Sequence, residues 1–289
     1  MILNKEQLTE LSDIAKVAAL TAGKIITQYQ DKQYTSKTKQ TGISPASAIV
    51  TEVDINAEKT ILEILGPLTK KYDLGVLTEE TIDDHSRFEK DYFWCIDPLD
   101  GTLAFTRNEP GYSTSIALVS SKGHPIIGVV YNPVTNDLFS AIKDQGAYKN
   151  DSAFNLPKLA FKTTLIFDSS YYQHPSYHTH IKFIKHAVSK HSSGLDILSL
   201  GGAVMNAISS IEFAPAFYFK LPKRELGGGS LWDFAATSVI QSEAGGVNSD
   251  SEGTQLNFNS DGSTFMNHKG IIYASDPNLV DIIFDLQNS

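Results

Sequence analysis

Residues 97–102 read Asp-Pro-Leu-Asp-Gly-Thr, and no other segment of this chain is so well suited to chemistry. They follow the apolar run 92–96, which predicts a buried strand that ends at Asp97. Pro98 favours a turn, and Gly101 leaves backbone N–H groups accessible just beyond it. Two carboxylates at the end of a buried strand, beside such amides, suit a divalent cation that holds a phosphate. The alternative is an ordinary turn, because Pro, Asp and Gly all favour turns.

Three more acidic positions could contribute to such a site. Glu79, in the pair Glu79-Glu80, follows the short apolar run 74–77, and Asp54 and Asp233 each lie at the start of a predicted helix. Each position has a structural alternative. Glu79 could lie in a solvated loop, and a carboxylate in the first turn of a helix is favoured by the helix dipole. These residues point to a site only in combination with Asp97 and Asp100.

The first half of the chain predicts helices followed by an antiparallel sheet. Asn4 is a suitable N-cap for a first helix, and a second helix is predicted over 53–65, with Pro67 just beyond its end. The polar stretch 30–47 predicts a mobile loop or a ragged hairpin. Strands are predicted at the β-rich runs 113–120, 126–131 and 138–142, of which the last two form a hairpin.

The second half alternates strands and helices. Strands are predicted over 165–168, 216–221 and 270–275, and helices over 177–190, 201–211, 231–243 and 278–286. A soft boundary near 145–160 predicts an α+β half over 1–150, with most of the metal ligands, and an α/β half over 151–289, with Asp233 and the substrate-side elements. The two halves could equally count as one domain.

Composition narrows the class of protein. The 289 residues can bury a substantial core, and a net charge of −9 argues against a binder of nucleic-acid polymers or anionic membranes. The single cysteine, Cys95, lies in the apolar run and predicts an inert buried thiol. No signal peptide or transmembrane span is evident, so we expect a cytoplasmic protein without integral membrane contact.

Taken together, the motifs resemble the inositol monophosphatase superfamily of metal-dependent phosphatases. The resemblance rests on Glu-Val-Asp at 52–54, Glu79-Glu80, Asp-Pro-Leu-Asp-Gly-Thr, and Trp232-Asp233 followed by Glu-Ala-Gly-Gly, in the same order and at similar spacing. Segment 123–134 is most similar to the bacterial 3′(2′),5′-bisphosphate nucleotidase branch. The resemblance implies a layered αβαβα sandwich of the inositol monophosphatase and fructose-1,6-bisphosphatase type. It also implies a hydrolase of small phosphorylated substrates, and it leaves a homodimer open.

Roles for individual residues follow from the resemblance. The resemblance implies that one Mg²⁺ would be held by Glu79, Asp97 and the Leu99 carbonyl, and a second by Asp97, Asp100 and Asp233, with room for a third, weaker ion near Glu79. The N–H groups of Gly101 and Thr102 face the phosphate, while Asp54, Glu79 and Thr102 are catalytic and act on the attacking water. For Thr102 the alternative is a simple helix N-cap.

Substrate choice is less well defined by the sequence. The residue after Asp-Gly-Thr is Leu103, whereas nucleotidases of this type usually have Lys there, and the Thr-Asn-Phe usual in inositol monophosphatases is also absent. We predict adenosine 3′,5′-bisphosphate as substrate, with Arg224 and Lys223 as the cationic contacts. The alternatives are an inositol monophosphatase or related sugar-phosphate phosphatase, and a catalytically silent relative that acts as a binding or regulatory protein. A silent relative should have lost at least one metal ligand.

Overall fold

The computed structural model describes residues 2–30, 36–38, 49–157 and 161–288. The chain begins with helix α1 (Lys5–Tyr29), which Asn4 caps through a hydrogen bond from the Gln7 N–H to its side chain, as predicted. Strands β1 (Ser36–Thr38) and β2 (Ile49–Thr51) pair antiparallel, and helix α2 (Glu52–Lys71) follows directly. Of the stretch 30–47, predicted as a mobile loop or a ragged hairpin, residues 31–35 and 39–47 lie outside the described residues, and β2 begins just beyond it.

The predicted end of α2 was wrong, because the helix runs through Pro67 to Lys71. Proline disfavours a helical conformation in the preceding residue, because its Cδ clashes with the backbone N–H and the Cβ of that residue. The preceding residue is Gly66, which has no Cβ to clash. The helix therefore continues at the cost of one backbone hydrogen bond.

A seven-stranded sheet occupies the first half of the chain, in the order β3-β4-β5-β6-β7-β8-β9. The pair β3/β4 is parallel, and the other neighbours are antiparallel. Two short helices, α3 and α4, flank β4. The elements are β3 (Gly75–Thr78), α3 (Ser86–Glu89), β4 (Tyr92–Asp100), α4 (Thr102–Thr106), β5 (Ser113–Ser120), β6 (Pro125–Asn132), β7 (Asp137–Ile142), β8 (Ala147–Lys149) and β9 (Ser152–Ala153).

A five-stranded sheet forms in the second half, in the order β11-β10-β12-β14-β13. Strand β10 pairs in parallel with β11 and β12, and β14 pairs antiparallel with β12 and β13. The elements are β10 (Thr163–Ile166), α5 (Tyr177–Val188), β11 (Leu195–Leu198), α6 (Ala203–Glu212), β12 (Ala216–Lys220), α7 (Leu231–Glu243), β13 (Val247–Ser249), β14 (Ile271–Ala274) and α8 (Pro277–Gln287). A 3₁₀ helix at Ser169–Gln173 precedes α5.

Helices and sheets stack in five layers, which confirms the predicted αβαβα sandwich. Helices α1 and α2 pack on one face of the seven-stranded sheet, α6 and α7 lie between the two sheets, and α5 and α8 cover the outer face of the five-stranded sheet. Strand β4 shows the alternation that this packing needs, with Phe93 and Cys95 facing the central layer and Trp94 and Ile96 facing α1 and α2.

Cys95 is fully buried, as predicted, and burial raises the pKa of its thiol. None of the helices in the described ranges combines the length and the apolar character that a membrane span requires.

Candidate active site

Three carboxylates meet where β4 ends against the start of α7. Oxygen atoms of Asp97, Asp100 and Asp233 all lie within 4.8 Å of one another. Asp97 and Asp100 are buried, and Asp233 is half-buried. The fold thus brings together three acids that are up to 136 residues apart in sequence.

Asp97 and Asp100 lie on either side of a β-bulge in strand β4. Asp97 pairs with Ser115 of β5 and Asp100 pairs with Ser113, so β4 uses one residue more than its partner over this span. The predicted turn at Pro98 was therefore wrong, because the strand continues to Asp100. A bulge leaves one residue out of the ladder, which accommodates a proline and redirects the neighbouring side chains. The Leu99 N–H donates to Asp97 Oδ1 at 3.0 Å and fixes that carboxylate.

Asp100 is held by the start of α6. Its Oδ1 accepts a hydrogen bond from the Ala203 N–H at 3.1 Å, and its Oδ2 accepts one from the Val204 N–H at 3.0 Å. A Cβ atom on Gly202 would lie only 2.1 Å from Asp100 Oδ2. The pair Gly201-Gly202 is visible in the sequence, but only the structure shows that Gly202 allows α6 to seat this carboxylate.

Asp233 is oriented by its own helix and by the glycines before it. It forms a capping box with Ser230, whose N–H donates to Asp233 Oδ2 at 2.7 Å. Gly229 has a φ of +105°, and a Cβ on it would lie 2.4 Å from the Phe234 ring and 2.9 Å from Asp233 Oδ2. Of the triplet Gly227-Gly228-Gly229, it is therefore Gly229 that lets the chain pass close to Asp233.

Asp54 and Thr102 contact each other across the site. Asp54 Oδ2 accepts hydrogen bonds from the N–H and the hydroxyl of Thr51, at 2.8 and 2.5 Å, and Oδ1 accepts one from Thr102 Oγ1 at 3.0 Å. Thr102 Oγ1 also lies 3.1 Å from the Leu99 carbonyl. The N-cap of α4 is Gly101, in the left-handed conformation, so the alternative of Thr102 as N-cap was wrong.

Glu79 directly follows the last residue of β3 and lies level with Asp97 on the neighbouring strand β4. Thr78 pairs with Ile96 in the parallel pair β3/β4, and the Glu79 N–H donates to the Ile96 carbonyl at 3.3 Å. The charge of Glu79 raises the pKa values of Asp97, Asp54 and Asp233, although burial is the larger cause in each. Glu79 therefore interacts electrostatically with the acidic group, although it is not one of the three residues whose oxygens converge within 4.8 Å.

Burial and mutual repulsion raise the pKa values of these carboxyl groups. Burial comes first for Asp97 and Asp100, followed by the charges of neighbouring acids. Burial likewise raises the pKa of Asp54 to about 6 and that of Asp233 to about 6. Oxygen-only donors whose charges repel one another suit a hard divalent cation such as Mg²⁺.

Lys220, which the sequence analysis did not assign to the site, places a cation beside the acidic group. Its Nζ is 2.6 Å from Asp168 Oδ2, and its charge lowers the pKa values of Asp100 and Asp233. Asp168 also accepts hydrogen bonds from Tyr218 and Asn206. Lys220 lies at the end of β12, three residues before Lys223, and this position was the signal available in the sequence.

The predicted substrate contacts Lys223 and Arg224 lie on an exposed stretch after β12. The backbone of Lys223 is tied to Asn267, and its side chain runs along Gly228. Neither residue belongs to the acidic group, and their contact with substrate stays a prediction.

Comparison with known proteins gives consistent matches. The sequence profile of the inositol monophosphatase family matches residues 7–287. The chain is similar to Nus factor SuhB of Haemophilus influenzae, with 31% identity over 83% of this chain and 85% of that protein. It is 25% identical to the inositol-1-monophosphatase of Bacillus subtilis over 96% of each chain. The extragenic suppressor protein suhB from Bartonella henselae has a similar structure, with a TM-score of 0.73, 24% identity and coverage of 96% and 98% of the two chains.

Proposed function

Because the chain belongs to the inositol monophosphatase family of metal-dependent phosphomonoesterases, we propose that its substrate is inositol monophosphate or a related sugar phosphate. The observation that carries the phosphatase activity is the group of Asp97, Asp100 and Asp233, whose oxygens converge within 4.8 Å, and the substrate class is supported by the family match. All the ligands that the sequence resemblance implied are present, which argues against a silent binding or regulatory relative.

The comparisons favour this substrate class over adenosine 3′,5′-bisphosphate. The named relatives are an inositol-1-monophosphatase and SuhB proteins, and none of those reported above is a bisphosphate nucleotidase. The segment that suggested a nucleotidase, 123–134, forms mainly the buried strand β6. Gly128 of this strand packs against α7, where a Cβ would lie 2.2 Å from the Ala236 carbonyl. The similarity of this segment therefore reflects core packing and says little about substrate.

For the cation we propose the ligand sets implied by the family resemblance. Glu79, Asp97 and the Leu99 carbonyl would hold one Mg²⁺, and Asp97, Asp100 and Asp233 a second, with a weaker third site near Glu79. A Mg²⁺ ion bound by these residues would neutralise the carboxylates and would supply Lewis-acid chemistry that activates water at neutral pH.

The remaining roles belong to side chains and amides of the chain itself. Thr102 donates its hydroxyl hydrogen to Asp54 Oδ1, so that Oγ1 is left to accept a hydrogen bond from the attacking water and to orient it. The pKa of Asp54, raised by burial to about 6, lets it share a proton near neutral pH. The N–H groups of Gly101 and Thr102, at the start of α4, face the phosphate.

The test is a phosphate-release assay on purified protein with Mg²⁺. Inositol 1-phosphate, a hexose phosphate and adenosine 3′,5′-bisphosphate are compared by kcat/KM. We expect the inositol or sugar phosphate to be preferred by about tenfold or more, which corresponds to about 1.4 kcal/mol of transition-state binding.

The variant Arg224→Ala separates the two substrate classes. If Arg224 binds a second phosphate, its loss should raise KM for the bisphosphate by about tenfold and leave KM for inositol 1-phosphate nearly unchanged. A wild-type preference for the bisphosphate, together with this selective loss, would contradict the proposal and support the nucleotidase assignment.

A further inference from the structure

Glu58 is a buried carboxylate to which the proposed reaction gives no role. It lies on α2 one helical turn after Asp54, and its exposed fraction is only 5%. A carboxylate buried in this way is stable only if hydrogen-bond donors surround it. The donors around Glu58 therefore indicate what it does.

In the described part of the chain, the three hydrogen-bond donors that contact Glu58 all come from the short segment 78–81. Oε2 accepts hydrogen bonds from Thr78 Oγ1 and from the Glu80 N–H, the latter at 2.9 Å. Oε1 accepts one from Thr81 Oγ1 at 2.5 Å. Glu58 thus binds the chain through hydrogen bonds on both sides of Glu79.

The main chain of Glu79 is also held from the side of the sheet. Its N–H donates to the Ile96 carbonyl, directly before Asp97. The segment that carries Glu79 is therefore fixed between β4 and a buried carboxylate on α2.

We propose that Glu58 is a positioning residue for the cation site, which clamps segment 78–81 so that Glu79 is presented towards Asp97. The inference rests on the proposed role of Glu79 as a metal ligand. Residues four apart on a helix share a face, so one face of α2 positions two parts of the site. Asp54 fixes the Thr102 hydroxyl, and Glu58 fixes the segment that bears Glu79.

The test measures Mg²⁺ affinity of the folded protein by isothermal titration calorimetry, alongside the Mg²⁺ concentration that gives half-maximal phosphate release. We expect Glu58→Ala to weaken Mg²⁺ binding by about tenfold or more, as is typical when a group that orients a ligand is removed. The KM for substrate at saturating Mg²⁺ should change much less.

Two further variants separate positioning from a general structural effect. Glu63→Ala, on the exposed side of the same helix, is the matched control and should bind Mg²⁺ like the wild type. Glu58→Gln should restore most of the affinity. Its carbonyl can still accept from Thr78 and Glu80, while its amide can donate to the Thr81 hydroxyl.

If Glu58→Ala does not fold, Thr81→Val decides, because it removes a single donor at an exposed position. It should weaken Mg²⁺ binding in the same direction by a smaller factor. Wild-type Mg²⁺ affinity in Glu58→Ala, or in Thr81→Val when that variant decides, would overturn the inference even if the protein is a Mg²⁺-dependent phosphatase. If the wild type shows no phosphatase activity but the variant loses Mg²⁺ affinity as expected, only the proposed function would be overturned.

Discussion

At the scale of single residues, Thr102 is the position at which the structure separates the catalytic prediction from its alternative. Its sequence context allowed an ordinary helix cap, yet in the structure Gly101 is the N-cap and the Thr102 hydroxyl is directed to Asp54 and the Leu99 carbonyl. A buried hydroxyl that is not needed for capping, between a carboxylate and a bulged strand, is well placed to orient a water molecule.

We therefore predict that Thr102→Ala lowers kcat by about 10²-fold, the usual contribution of a positioned proton-transfer group, and that Thr102→Ser keeps much of the activity. Thr106→Ala is the matched control, because Thr106 lies in the same short helix and its hydroxyl bonds only to the nearby Leu103 carbonyl. Steady-state kinetics and thermal melting of the three variants check this. Near-normal kcat with a lowered Tm in Thr102→Ala would show that the hydroxyl is structural.

The sequence predicts the acids of the site better than the groups that hold them. Asp97, Asp100 and Asp233 are recognisable because each lies in a short motif at the end of a strand or the start of a helix. Glu58 carries no such local mark, and Lys220 is marked only by its nearness to Lys223, because their partners, segment 78–81 and Asp168, are distant in sequence. Contacts of this kind depend on tertiary packing, which a single sequence without an alignment does not reveal.

At the scale of elements, the position of α6 decides the geometry of Asp100. The first N–H groups of this helix bind the carboxylate, and the approach is possible only because residue 202 has no side chain. The helix was predicted to begin near 201, but its function as a seat for a metal ligand was not predictable, because the partner lies about one hundred residues earlier.

Gly202→Ala is accordingly expected to displace Asp100 and to weaken Mg²⁺-dependent turnover by about tenfold or more. Gly194→Ala is a suitable control, because a Cβ there would make only ordinary contacts, at 3.8 Å, with the Lys162 side chain. Phosphate release measured over a range of Mg²⁺ concentrations reports the effect. Equal activity in the two variants would show that α6 does not fix the carboxylate.

Among the strands and helices, local pattern was sufficient where a long apolar run is bounded by clear end signals. Helix α7 and strand β5 have the predicted bounds. The pattern failed at Pro67 and Pro98, where proline normally ends an element. In both cases the local structure accommodates the proline, because Gly66 precedes Pro67 and a β-bulge contains Pro98.

At the scale of the whole molecule, the acidic group should destabilise the metal-free fold. Burial raises the pKa values of Asp97 and Asp100 above their values in the unfolded chain, so the folded state binds more protons. The stability that these groups contribute is present below about pH 4 and is lost as pH rises through the folded pKa values. At neutral pH without a cation, charge repulsion therefore opposes folding.

Asp97→Asn should consequently melt at a higher temperature than the wild type at pH 7.5 in chelator. Each unit by which folding raises the pKa of Asp97 costs the charged folded state about 1.4 kcal/mol. We therefore expect the substitution to raise Tm by about 2 °C or more. The difference should shrink as pH falls towards 4, and Mg²⁺ should raise the Tm of the wild type more than that of the variant. Thermal melts across pH test this, and a difference that does not change with pH would refute it.

The five-layer architecture was predictable from family resemblance, and the structure confirms it in the described part of the chain. The division into halves at 1–150 and 151–289 stays a prediction. The central layer packs against both sheets, and Asp233 crosses from the second half to complete the group on β4. The two halves thus contribute jointly to one site.

The most direct test of the central claim is phosphate release from inositol 1-phosphate by the wild type and by Asp97→Asn, each assayed in chelator and with Mg²⁺ restored. Circular dichroism confirms that both proteins are folded. If Asp97, Asp100 and Asp233 form the catalytic cation site, wild-type activity should disappear in chelator and return with Mg²⁺, while Asp97→Asn should stay inactive in both conditions. Full activity in the chelated wild type, or Mg²⁺-dependent activity at the wild-type level in folded Asp97→Asn, would contradict this account.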